Sequence, residues 1–181
     1  MIIVSVIDSF RVVPAVQCEI PQTSRKRYIT GMYALNLPAP EGTTGDWHEV
    51  FFWREGIDEP CTVDLAGDDT DWNTNPIYGD YGVYEGKDNL IKKGIYVKDD
   101  VEEVYIANHF RAILDLLFYS LKKYEVVLNL TGATDDWLDT PEQKAELITK
   151  ADLLLDVFEG KAKRSLIEWI DYELSPDWRI I

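Results

Sequence analysis

The stretch VEEVYIANHFRAILDLLFYSLKKY, residues 101–124, decides how the chain is read. Within it Ile106, Phe110, Ile113, Leu114, Leu117 and Leu121 recur at spacings of three and four, which places them along one side of a helix. The spacing predicts a long buried helix across 101–124. Asn108, Arg111 and Asp115 fall on its more polar face, where Arg111 and Asp115 stand at i,i+4 and can pair for about 0.2–0.5 kcal/mol.

Downstream the pattern stays helical. Thr140 reads as an N-cap, Pro141 as the first helical residue and Gln143 as the third member of a capping box, with Gly160 ending the helix. Its expected core stripe is Ile148, Ala151, Leu155 and Phe158. A last helix follows in KAKRSLIEWIDYELSP, carried by Leu166, Ile167, Ile170 and Leu174 and stopped before Pro176.

Upstream the period changes to two. IIVSVI (2–7), RVVPAV (11–16), RYITGMYALNL (27–37) and CTVDL (61–65) are rich in β-branched and aromatic residues and read as strands. Pro14 puts the second at an edge or a bend. In LPAPEGTTGDWHEVFFW (37–53), two prolines stop one strand, Gly42 and Gly45 permit a reversal, and a strand resumes with Trp47, Glu49, Phe51 and Trp53 on one face. That is a hairpin with a long loop. Residues 67–86 have many turn formers and little period, and read as a structured loop. Strands first and helices last predict an α+β fold, with a mostly antiparallel N-terminal sheet and C-terminal helices packed on one side. One domain over 1–181 is expected, β-rich through 97 and helical over 101–175.

Eighteen Lys and Arg stand against thirty-three Asp and Glu, a net charge of −15 that repels phosphate backbones and argues against direct nucleic-acid binding. The excess is uneven. Residues 54–91 hold ten acids against Arg54 and Lys87. Glu55, Asp58, Glu59, Asp68, Asp69 and Asp71 of this segment are the expected partner-binding residues, and the partner they suit is a basic protein. Arg25, Lys26 and Arg27 form the basic cluster and read as gatekeepers beside a strand. Cys18 and Cys61 lack CxxC spacing, no leader is read at the start, and charges interrupt every apolar run before membrane-spanning length. A cytoplasmic setting is therefore expected, in which the Asn129–Thr131 sequon carries no glycan.

Chemistry-bearing motifs are few. GxSxG, HExxH, GxxxxGK[ST] and GxGxxG are absent, so candidate catalytic residues reduce to His48, His109 and Asp46. Asp69, Asp71, Asn73, Asn75 and Asp80 alternate as in a calcium loop, but Thr74 replaces the required glycine and Pro76 breaks the following position. No metal site and no cofactor are expected. Four of the six tryptophans follow an aspartate, at positions 47, 72, 137 and 178, with no repeat spacing; Asp supplies turn hydrogen bonds while the ring anchors the loop.

The string RKRYITGMYALNLPAPEGTTGDWH, with ANHFRAILDLL and DDWLDTPEQKAEL, resembles a group of small uncharacterised bacterial proteins that share a YxTGMYALN…GDWH core and a helical C-terminal part. The resemblance spans most of the chain, carries no assigned activity, and implies a bacterial interaction protein. Two function classes follow. One is an acidic protein-interaction or inhibitor protein, antitoxin-like, that masks a basic partner. The alternative is a small metal- or histidine-dependent hydrolase or nuclease using His48, His109 and nearby acids.

Overall fold

Tyr28 and Ile29 point to opposite faces of β1 (Arg27–Ile29), and both are fully buried, so neither face of this strand meets water. In the computed structural model, which describes residues 19–43, 53 and 62–175, β1 lies inside a four-stranded sheet. Its companions are β2 (Leu65–Gly67), β3 (Val83–Glu85) and β4 (Tyr105–Ala107), in the order β2–β1–β4–β3. β1 pairs antiparallel with β2, Tyr28 opposite Ala66, and β3 pairs antiparallel with β4, Tyr84 opposite Ile106. The central pairing, Ile29 with Ile106, is parallel. The fold is α+β, as expected, but the sheet is mixed and is not confined to the N-terminal part, because β4 falls beyond residue 101.

The reason lies at Asn108. It is extended (φ −73°, ψ 175°) and its side chain accepts the Arg111 backbone N–H at 2.9 Å, so it is an N-cap, and the helix begins only at His109. The four-residue spacing of Ile106 and Phe110 imitates a helix although a strand and a helix share the stretch. Helix α4 (His109–Tyr124) buries Phe110, Ile113, Leu114, Leu117 and Leu121, and also Arg111, Ala112 and Asp115. It packs against β4 and several helices at once.

Other boundaries shift for local reasons. After β1 the chain turns at Gly31 (φ +61°) into the short helix α1 (Gly31–Leu35), where a continued strand was expected. The 67–86 stretch contains a single-turn helix α2 (Asn75–Tyr78) as well as β3, and α3 (Lys87–Lys92) follows. Beyond α4 come α5 (Ala133–Trp137) and α6 (Pro141–Ala151). Both bonds of the capping box form: Gln143 N–H donates to Thr140 Oγ1 at 3.2 Å, and Thr140 N–H to Gln143 Oε1 at 3.1 Å. α6 passes into a 3-10 turn (Asp152–Asp156), and Gly160 begins the last helix, α7 (Gly160–Leu174), instead of ending the previous one. The inward stripes are Leu147, Ile148, Ala151 and Leu154, then Ala162, Leu166, Trp169 and Ile170. Ile167, one residue and so about a hundred degrees round from Leu166, faces water, as does Leu174 at the end of the helix.

The expected strands at 2–7 and 11–16 lie outside the described residues, as does the 44–52 part of the hairpin. Trp53 is buried and meets Tyr33 edge-on at 5.2 Å. Among the described residues no helix is long and apolar enough to cross a membrane.

Candidate functional site

Arg111, in the first turn of α4, has no exposed surface. Its Nε donates to Asp115 Oδ1 and to Thr74 Oγ1, both at 3.1 Å. Nη1 donates to the carbonyls of Gly79 (3.1 Å) and Tyr81 (2.9 Å), and Nη2 to Asn75 Oδ1 (2.9 Å). The Tyr28 and Tyr78 rings lie 5.1 and 5.4 Å from the guanidinium carbon. Asp115 accepts from Thr30 Oγ1 at 2.7 Å, from Tyr28 OH at 3.4 Å and from the Thr74 hydroxyl. Burial pushes the Asp115 carboxyl up, opposed by the guanidinium and the two threonine hydroxyls, and burial with the nearby carboxylate raises the Tyr28 phenol strongly. Such a pair survives in a dry interior only because each charge is hydrogen-bonded on several sides.

This network fastens the segment from β2 through the turn after α2. Asn75, held by Arg111, donates through Nδ2 to Lys26 O (2.8 Å) and to Asp68 Oδ1 (2.9 Å). Asp68 N–H also donates to Lys26 O at 2.7 Å. Gly67 (φ +97°) passes so close to β1 that a Cβ there would sit 2.0 Å from Lys26 O. Thr70 closes the turn by donating to Gly67 O and accepting Trp72 N–H. Trp72 stacks on Tyr119 of α4 at 4.4 Å, and Lys122 Nζ donates to Asp71 O at 3.1 Å.

The loop therefore carries Asp68, half-buried, and Asp69 and Asp71, exposed, on a frame tied down at both ends. Beside it Arg25, Lys26, Asp68, Asn75, Pro76 and Asp80 line a cleft of about 510 Å³. Three acids that the sequence groups together are brought together in space. Asp46, His48, Glu55, Asp58 and Glu59 lie outside the described residues. No group of three or more His, Cys, Asp or Glu among the described residues is arranged to hold a metal ion.

His109 is fully buried and cross-links the backbone. Nε2 lies 2.7 Å from Leu37 O and Nδ1 3.3 Å from Trp137 O, while its own backbone N–H donates to Glu41 Oε1. Both ring nitrogens face carbonyls, and a general base needs a nitrogen within reach of a substrate proton. Tyr84 and Asn89 donate to Pro38 O, so the 37–43 turn is held from three sides; burial lifts the Tyr84 phenol to about 12.

Arg111 and Asp115 read as a surface pair in the sequence, whereas they anchor the site. The available signal is that each is flanked by apolar neighbours, Phe110 and Ala112 for one, Leu114 and Leu116 for the other. A second acidic group lies outside the 54–91 segment: Asp100, Glu102 and Glu103 line a cleft of about 770 Å³ with Glu19, which pairs with Lys98. No family model, curated protein or solved structure matches this chain.

Proposed function

We propose that this is an acidic binding protein that masks a basic protein partner, with the loop of Asp68, Asp69 and Asp71 as its docking element. The observation that carries the reading is the anchoring of that loop to the buried Arg111–Asp115 pair through Asn75 and Thr74. Charge that serves solubility alone needs no fixed geometry. A loop already ordered in the free protein loses less entropy on docking, so more of the electrostatic attraction appears as affinity. The resemblance to small bacterial proteins adds a bacterial setting, the acidic 54–91 segment the antitoxin-like role, and the isolated Cys18 and Cys61 a cytoplasmic location. The hydrolase reading gains nothing from His109, whose ring is committed to backbone carbonyls.

The test is kinetic. A partner co-purified with the full chain is purified itself, and its association rate is followed from about 50 to 500 mM salt, a range over which the screening length shrinks from beyond 10 Å to a few ångströms. The rate is expected to fall steeply with salt. The double reversal Asp69→Lys, Asp71→Lys is expected to slow it at least about tenfold while leaving the thermal midpoint within a few degrees, because both side chains are exposed. A salt-independent rate, or one that the reversal leaves intact, overturns the proposal.

A further inference from the structure

We infer that Tyr119 and Tyr124, with Trp72 stacked behind Tyr119, form an aromatic seat for a lysine or arginine side chain of the basic partner, and that Lys123 occupies this seat in the free protein. The inference rests on the acidic loop being the docking element and adds the contact that would accompany it.

The rings meet where α4 ends. Tyr119 and Tyr124 are perpendicular, with centroids 6.3 Å apart, and Trp72 backs Tyr119 as a stacked plate. Two faces at right angles make two walls. The Lys123 ammonium lies 4.9 Å from the Tyr119 centroid and 5.2 Å from that of Tyr124, inside the distance of about 6 Å at which a ring quadrupole attracts a cation. It also donates to the Tyr119 hydroxyl. The protein thus already shows which chemistry these rings accept.

Lys123 is exposed and held by one flexible stem, and Tyr124 keeps 45% of its surface in water, so an incoming cation can exchange with it. Trp72 follows Asp71 directly, and Lys122 ties Asp71 O to the same helix end. Aromatic faces and exposed carboxylates are therefore continuous on one surface. Trp and Tyr are among the residues that most often anchor a binding hot spot. Charge complementarity selects the occupant: a basic segment is attracted, whereas a second copy at net charge −15 is repelled.

The experiment uses an octa-arginine peptide as probe and isotope-labelled full chain, with ring and amide shifts followed by NMR. Shifts are expected at the Trp72 indole, at the Tyr119 and Tyr124 rings, and at the amides of 68–71. Lys123→Ala, which vacates the seat, is expected to tighten binding about two- to fivefold. Tyr124→Leu, which keeps apolar area and loses the ring, weakens binding by a similar factor, and Tyr124→Phe retains it. Should Tyr124→Leu bind as the parent does, with ring resonances unmoved while Asp69→Lys, Asp71→Lys abolishes binding, the loop docks alone and the seat is refuted. Should the parent fail to bind the peptide at all, the loop reading falls with it. Self-association that Tyr124→Leu removes would assign the rings to a second copy instead.

Discussion

Gly67 and Gly42 both hold left-handed backbone, yet they differ in what surrounds them. A Cβ at Gly67 meets the Lys26 carbonyl at 2.0 Å, whereas at Gly42 it meets open space. Gly42→Ala is expected to cost about 1–2 kcal/mol for conformation alone, and Gly67→Ala about 2–5 kcal/mol because β1 and β2 must also part; urea unfolding compares the two directly. Arg111→Met removes one half of a buried ion pair and strands Asp115, so a loss of about 3–5 kcal/mol is expected in the same measurement. Asp64 supplies the pH-dependent case. Its half-buried carboxyl, beside Gly31 and the Trp72 ring, is raised by desolvation. The folded state then holds this proton to higher pH than the unfolded chain does, so stability falls as pH rises from the unfolded value of about 3.9 through the folded one. Asp64→Asn removes that loss. The variant should exceed the parent in stability at pH 7 and match it near pH 3, and a constant difference across that range would refute the assignment.

At the scale of elements, the capping box of α6 is the most local device in the chain, and Thr140→Ala should cost about 0.5–2 kcal/mol with the rest of the structure unmoved. Thermal melts followed by circular dichroism measure it. The same locality explains why α6 was legible: Thr140, Pro141 and Gln143 carry their meaning within four residues. α1 was not legible, because GMYAL directly continues the β-branched and aromatic run RYIT: Met, Ala and Leu favour a helix, but five residues are too few to show its period, and the break from the strand is made by the left-handed Gly31 packed under Trp72. β4 was masked by the periodicity of α4 running back through Ile106. Of the site, the acids were visible as composition, but their anchor was not. An Arg–Asp pair at i,i+4 looks the same on a wet face as on a dry one, and Thr30, Thr74 and Asn75, which make this one dry, are distant in the sequence.

For the whole molecule, α4 is the common floor. It touches β4, α1, α6 and α7, and its Arg111 binds the turn beyond β2. Removing any of these elements exposes α4, so calorimetry is expected to show one cooperative transition, and two separable ones would contradict the shared floor. The parallel pairing of β1 with β4 also imposes an order on synthesis. The ribosome must deliver Ala107 before β1 gains its second neighbour, and Arg111 before the 67–81 turn acquires its guanidinium. Until then a nascent chain carries an unpaired strand edge, the kind of edge that recruits other chains. The acids of 54–91 are translated within that interval, and like charge on two unfinished chains disfavours pairing along such an edge.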